Sequence, residues 1–200
     1  MKKNCMPIQN SSCGKNLSKE EIEKMTPEEF KKLKFEEIEF FKNPKNFKSF
    51  SEVISHAATC RDKNNRKFPH QYRIPNNLLK ELCQALKAKE KNILKIQEFS
   101  ALYNFIEETK RNFANKGKGI GELTIYDVAL RIALYRSNEL KNKILPQEVY
   151  IHAGARTGAE KVLKRCCKKT EPISAFPSEI QKIGQAYKIE AYLCIIGAKK

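Results

Sequence analysis

Apolar residues recur at steps of three and four along most of this chain, a spacing that predicts helices. The clearest runs cover residues 76–86, 93–113 and 124–135, and in each of them the apolar side chains fall on one side of the predicted helix. Alternation of apolar and polar residues, which would indicate strands, is essentially absent. The pattern therefore predicts an all-α fold.

Capping boxes mark helix starts in the first quarter of the chain. In this motif a Ser or Thr side chain accepts a hydrogen bond from a backbone N–H three residues on, and a Glu there reaches back to the first residue. One box lies at 26–29, with Pro27 in the favoured first helical position, and a second lies at 49–52. Each box predicts the start of a helix.

The distribution of charge suggests two regions. Residues 1–50 carry 11 basic and 8 acidic side chains, which is nearly balanced, and their apolar residues form no closed face. We therefore expect residues 1–48 to be a charged, partly helical N-terminal extension that is mobile or loosely docked. Residues 49–200 are predicted to form one all-helical domain.

Net charge indicates the class of partner. The chain has 39 Lys and Arg against 23 Asp and Glu, a net charge of +16 and a pI of about 9.5. The excess is concentrated in 61–95 and 156–169. Nucleic acid binds such a surface because neutralised phosphates release condensed counterions. The alternative is that the lysines only keep the protein soluble. We favour a nucleic-acid partner, and the sequence identifies no protein partner.

Apolar runs and cysteines bear on location and cofactors. No apolar run reaches the roughly 18 residues of a membrane span, and no apolar signal segment follows the basic start. The seven cysteines are scattered and form no C-x-x-C motif, which favours reduced thiols. His56, Cys60, His70 and Cys83 match no zinc module. We expect a cytoplasmic, bacterial protein without membrane partner, metal or other cofactor.

The most informative segment is a predicted hairpin at 115–124 between two predicted helices. In Gly119-Ile120-Gly121 the glycines permit positive φ and a close approach of another backbone, while Ile120 is expected to insert into the core. The N–H groups at the start of the next helix would then face an anion. The alternatives are an ordinary helix–helix turn in which glycine ends the first helix, and a site for a small phosphate compound.

This hairpin resembles that of the helix-hairpin-helix DNA-binding superfamily, in the form found in base-excision DNA glycosylases. The resemblance covers the hairpin and its flanks only, with Lys116 and Lys118 before the glycines and Thr124 after them. It implies that backbone amides hold a DNA phosphate without reading bases.

A second segment with the composition of a nucleic-acid surface is the polar loop at 61–75. Cations are interleaved there with Phe68 and Tyr72, and such mixtures suit phosphates and bases. The alternative is that the aromatic side chains only anchor the loop to the core. From the hairpin and this loop, the predicted DNA-binding residues are Lys116, Gly117, Lys118, Gly119, Ile120, Gly121, Thr124, Arg66, Lys67 and Arg73.

Two positions depart from the glycosylase pattern. The catalytic lysine of lysine-dependent members lies two residues after the second glycine, where this chain has Leu123. The catalytic aspartate of the family lies in a Val-Asp-Thr-His stretch, and Tyr150 takes its place in the nearest counterpart, 149–152. Glycosylase chemistry is therefore not expected, and no catalytic residue is assigned.

An enzyme is the second hypothesis, either a nuclease or a glycosylase-like nucleic-acid-processing enzyme. Its pocket would combine His152 with Arg156 one helical turn later, and Asp127 would orient them. The structural alternative is a hydrogen-bonded core histidine. The small residues of 149–161 would let two helices, or a helix and a ligand, pack closely.

The leading hypothesis is a helical protein that binds duplex DNA largely independently of sequence, through the Gly-hydrophobic-Gly hairpin and a Lys-rich face. The third hypothesis, after the enzyme, is a protein-interaction module for an acidic partner.

Phosphate-dominated binding predicts a steep dependence on salt. Each phosphate neutralised on B-DNA costs about 0.9 log units of affinity per log unit of salt, and we expect a slope equivalent to about three to six phosphates. Unrelated duplexes at matched salt should differ by less than about tenfold, because lysines and backbone amides read few base edges. Fluorescence anisotropy of labelled duplexes over a salt series measures both. A flat response would assign the charge to solubility or to a protein partner.

Overall fold

The computed structural model describes residues 21, 24–62, 64–68, 71–112 and 119–197. The chain is mostly helical and divides into two compact units, one of Glu37–Leu145 and one that combines Met1–Glu36 with Pro146–Lys200. The helices of the described residues are α1 (Pro27–Lys31), α2 (Glu36–Lys42), α3 (Phe50–Thr59), α4 (Asn76–Ala88), α5 (Glu90–Lys95), α6 (Phe99–Arg111), α7 (Glu122–Arg136), α8 (Ala153–Leu163), α9 (Ser178–Gln181) and α10 (Ala186–Gly197), and the strands are β1 (Glu148–Tyr150) and β2 (Thr170–Pro172).

Local sequence signals account for most of these helices. The runs at 76–86 and 124–135 lie within α4 and α7. The predicted capping box before α1 is present, because Thr26 and Glu29 bond reciprocally. Ser49 Oγ accepts from the N–H of Glu52 at the start of α3. The mostly helical character is therefore confirmed.

The predicted single helix over 93–113 is wrong, because the chain forms α5 and α6 with extended backbone at Ile96 between them. The guanidinium of Arg136 donates to the carbonyl oxygens of Ile93, Leu94 and Ile96 at 2.9, 2.8 and 2.5 Å. These carbonyl oxygens at the end of α5 would otherwise lack hydrogen-bond donors once the helix stops, and Arg136 supplies them. Periodicity cannot show a contact made by a distant residue.

Helix α7 is the centre of the unit Glu37–Leu145. Helices α3 and α6 pack against it, and α4 packs against α3. Every residue from 124 to 134 is buried. A helix that is buried on all sides belongs in a core, so its charged residues Asp127 and Arg131 require partners inside the protein.

The other unit is built on the pair α8 and α10. A Cβ added at Gly158 would lie 2.0 Å from the carbonyl oxygen of Leu193, so only glycine permits this approach. The interpretation that small residues let two helices pack closely is therefore confirmed. Strands β1 and β2 pair antiparallel, with Tyr150 opposite Thr170. They were not predicted because three residues are too few to show alternation.

The division of the chain differs from the predicted one, which had a single boundary after residue 48. Phe30 is fully buried and its ring lies 5.1 Å from that of Tyr192, so α1 belongs with the C-terminal helices. Phe41, also fully buried, belongs to the unit Glu37–Leu145. Residues 24–48 show no closed apolar face because they contribute to two different cores. The first 20 residues of the predicted extension lie outside the described part of the chain.

None of the described helices combines the length and the apolar character that a membrane-crossing helix needs.

Candidate nucleic-acid interface

The hairpin before α7 is built on two glycines with different roles. Gly119 has φ +95°, which favours glycine, and a Cβ added there would lie 3.2 Å from Cδ1 of Leu78 in α4. Ile120 is 2% exposed, so it inserts into the core as predicted. Gly121 has φ −84°, and no described atom lies within 4 Å of an added Cβ. Gly121 therefore borders open space.

The start of α7 presents backbone donors beside that space. Thr124 and Ile125 donate their N–H groups to the carbonyl oxygen of Gly121, at 3.1 and 3.2 Å. Within the described residues, the N–H groups of Gly121 and Leu123 donate no hydrogen bond. The 15-residue helix that begins here adds the positive end of its dipole. This arrangement suits an anion such as a phosphate oxygen.

The other predicted residues of the hairpin do not all reach the surface. Thr124 is 5% exposed, so its side chain lies in the core. Lys116, Gly117 and Lys118 fall outside the described residues. Gly119 and Gly121 are therefore the exposed positions that the structure describes.

In the loop at 61–75, hydrogen bonds from Arg66 to Asp62 close a tight turn. Asp62 Oδ1 accepts from the N–H groups of Asn64 and Arg66 at 2.9 and 2.8 Å, and Asp62 Oδ2 accepts from Arg66 Nε at 2.8 Å. Partial burial opposes ionisation of Asp62, but these hydrogen bonds outweigh it and lower the pKa of its carboxyl. Arg66 still exposes 68% of its side chain, so part of its surface can meet a phosphate.

Lys67 turns inward, contrary to its expected role at the surface. Its Nζ donates to the carbonyl oxygen of Ile74, and burial lowers the pKa of its amine. Arg73 is exposed and forms no ion pair or hydrogen bond with the described residues. Arg73 is thus the predicted loop cation that no described residue engages.

Arg73 and Tyr72 occupy the apex of a tight turn. The N–H of Ile74 donates to the carbonyl oxygen of Gln71 at 3.0 Å, which closes a four-residue turn with Tyr72 and Arg73 at its two central positions. Tyr72 is 61% exposed. The turn therefore carries an exposed aromatic residue and an exposed cation at consecutive positions.

A buried polar network fixes the base of this turn. Gln71, fully buried, donates from Nε2 to Oδ2 of Asp127, and its Oε1 accepts from Arg131 at 3.3 Å. Arg131 also pairs with Glu37 of α2 at 2.5 Å, and its guanidinium lies 4.5 Å from the centre of the Phe68 ring. Gln71, Asp127 and Arg131 are all buried, so the turn is held by buried contacts.

Electrostatics keep the network charged. Burial by itself would lower the pKa of Arg131, but the carboxylates of Glu37 and Asp127 raise it above the ordinary value. Cys60, whose Sγ accepts from Arg131 at 3.2 Å, has its pKa raised to about 11, mainly by burial. Cys60 therefore stays a protonated thiol and is no nucleophile.

The network and the hairpin bring the two predicted DNA-binding segments together. Gln71 bonds to Asp127 of α7, while Leu78 contacts Gly119 just before α7, so residues 71–78 run beside residues 119–127. Tyr72, Arg73, Gly119 and Gly121 are exposed residues of these two segments.

The residues proposed for an enzyme have structural partners. Asp127 belongs to the buried network of the unit Glu37–Leu145, whereas His152 and Arg156 lie in the other unit. His152 is 3% exposed and its ring stacks 6.1 Å from that of Tyr150. Arg156 donates to the carbonyl oxygen of Cys167 at 2.9 Å. The structure thus does not unite the three residues within one unit.

A lysine-rich segment spans the C-terminal end of α8 in that unit. Arg165 donates two hydrogen bonds of 2.8 Å to Glu171, and these bonds lower the pKa of that carboxyl to about 2. Lys161, Lys164 and Lys168 are exposed and form no ion pair with described residues. They add further positive charge to the surface of this unit.

Neither a metal centre nor a known relative identifies the site. The described residues hold no group of three or more His, Cys, Asp or Glu that could bind a metal ion. Comparisons with protein-family models, curated proteins and solved structures gave no match.

The sequence analysis missed the roles of Gln71 and Arg131, which position the turn. Arg131 carried a usable signal, because a charge in the middle of the apolar run 124–135 must be paired once that helix is buried. The sequence contained no such signal for Gln71, because a glutamine in a polar loop is ordinary.

Loss of the central cation should destabilise the unit. In Arg131→Met, the carboxylates of Glu37 and Asp127 lose their buried partner, and we expect a loss of about 3–5 kcal/mol in the free energy of unfolding. The control is Arg111→Met, which removes the ion pair between Arg111 and Glu107. The Arg111 side chain is 70% exposed, so its loss should lower the free energy of unfolding by less than about 1 kcal/mol. Urea unfolding followed by circular dichroism measures both. Equal losses would contradict the importance of the network.

Proposed function

We propose that this protein binds nucleic acid, chiefly duplex DNA, by holding phosphates at the start of α7 and on its Lys-rich surface. The observation that carries the proposal is the start of α7. There Gly121 borders open space, and the N–H groups of Gly121 and Leu123 donate to no described residue. Arg73, which is exposed and engaged by no described residue, and the net charge of +16 favour a polyanion over a small neutral ligand.

The resemblance to helix-hairpin-helix proteins supports the same function. Such a hairpin requires a glycine with positive φ, a buried apolar residue and a following helix whose N–H groups face outward. Gly119 has positive φ, Ile120 is buried, and the N–H groups of Gly121 and Leu123 donate to no described residue, as this resemblance would require. The resemblance implies that the bound phosphate belongs to DNA.

Little base readout is expected, because the arginines are mostly engaged within the protein. Arginine is the residue best suited to bidentate recognition of guanine. All eight arginines lie in the described part of the chain, and Arg73 alone has no hydrogen bond or ion pair there. The bound arginines are Arg61, Arg66, Arg111, Arg131, Arg136, Arg156 and Arg165. Lysines and backbone amides therefore dominate the surface offered to DNA.

The hairpin can be tested without unfolding the protein. Gly121→Asp places a carboxylate where the phosphate would lie, at a position with negative φ and room for a side chain. Aspartate is also a favourable N-cap, so the stability of α7 should be kept or increased. We expect the affinity for duplex DNA to fall at least tenfold, about 1.4 kcal/mol, in an anisotropy titration.

A matched control separates local from general charge effects. Asn92→Asp adds the same charge on α5, whose carbonyls bind Arg136 at the far end of α7, about 20 Å from Gly121 along the helix axis. We expect this variant to lose less than about threefold in affinity. Equal losses in the two variants would mean that the hairpin is not the phosphate site.

A variant that is expected to gain affinity tests the same site in a way that misfolding cannot explain. Glu122 is an exposed carboxylate in the first turn of α7. Glu122→Gln removes like charge from beside the phosphate, so binding should strengthen.

A further inference from the structure

The exposure of Tyr72 is unusual within the described part of the chain. Only Tyr72 and Leu94 are large apolar side chains classed as exposed there, with 61% and 42% of their surface accessible. Leu94 lies on α5, at the far end of α7 from the hairpin. Tyr72 lies on the turn that begins at Gln71, and Gln71 bonds to α7, the helix whose start is the proposed phosphate site.

The turn displays this ring from a firmly held base. Gln71 before it is fully buried and bonded to Asp127 and Arg131, and Ile74 after it accepts from Lys67 and donates to Gln71. The ring therefore stays in water although both ends of its turn are anchored in the protein. An anchored aromatic side chain loses little conformational entropy when it stacks on a ligand.

Arg73, the residue after Tyr72, indicates which chemical class of ligand would bind there. Its guanidinium is exposed and unengaged by described residues, so it can contact a phosphate or stack on a base. A planar ring next to a planar cation suits a planar aromatic group attached to a phosphate, which is a nucleotide.

The turn and the start of α7 are tied to the same helix. Gln71, which directly precedes Tyr72, bonds to Asp127. Asp127 lies six residues after Gly121, or about 9 Å along the helix axis. The turn is thus anchored within two helical turns of the proposed phosphate site.

We propose that Tyr72 and Arg73 form a stacking site for an unpaired nucleobase. Bases inside a duplex already have both faces stacked, so the preferred nucleic acid has an overhang, a gap or a frayed end next to the duplex. This inference rests on the proposed function and specifies its substrate: a junction between duplex and single strand.

The test compares two DNAs in the same buffer, a blunt duplex and the same duplex with a short single-stranded overhang. Base–aromatic stacking is lost in Tyr72→Ala, so its affinity for the overhang DNA should fall at least about fivefold, with less than about twofold change for the blunt duplex. Tyr72→Phe keeps the ring and should bind as the natural chain does. Leu94→Ala, the matched exposed residue, should change neither affinity.

A covalent readout locates the base. An iodinated uracil placed in the overhang should form a photo-cross-link to the peptide that contains Tyr72, and the cross-link should disappear in Tyr72→Ala.

The outcomes distinguish this inference from the proposed function. If Gly121→Asp weakens both DNAs but Tyr72→Ala weakens neither, or weakens both equally, the stacking site is overturned and phosphate binding stands. If neither DNA binds to the unmodified protein, both proposals are overturned. A selective loss for the overhang DNA, together with the cross-link, establishes the stacking site.

Discussion

The charge of Arg131 in the buried middle of α7 is the constraint on which the unit Glu37–Leu145 depends. A buried cation requires partners, and this one finds them in the Glu37 carboxylate of α2, the Ala57 carbonyl oxygen of α3 and the Gln71 side chain of the loop. These contacts tie three separate segments to the central helix. Hydrophobic packing alone would hold the helices together, but it would not fix the orientation of a polar loop.

The same helix links the core to the candidate site. Arg131 and Asp127 hold the loop to the middle of α7, while the first turn of α7 faces open space at Gly121. The unbonded N–H groups at the start of α7 and the turn that carries Tyr72 are thereby both attached to one helix. Pre-organisation of this kind lowers the entropy cost of binding an extended ligand.

Sequence patterns predicted the features that depend on neighbours along the chain. Periodicity placed α4 and α7, and the hairpin sequence predicted the burial of Ile120. Patterns did not predict features that depend on distant residues. The break after α5 requires Arg136, and the inward turn of Lys67 requires a carbonyl oxygen seven residues away. The division into units was missed because the packing of Phe30 on Tyr192 joins residues far apart in sequence.

The most direct measurement of the central claim is the shift of backbone amide resonances during titration of the protein with a short DNA duplex. If the start of α7 holds a phosphate, the amides of Gly121 and Leu123 should shift most, and the shifts should be reversed by added salt. If these amides stay unchanged while resonances near Lys161–Lys169 move, the protein binds DNA by another surface. That result would contradict the account of the hairpin.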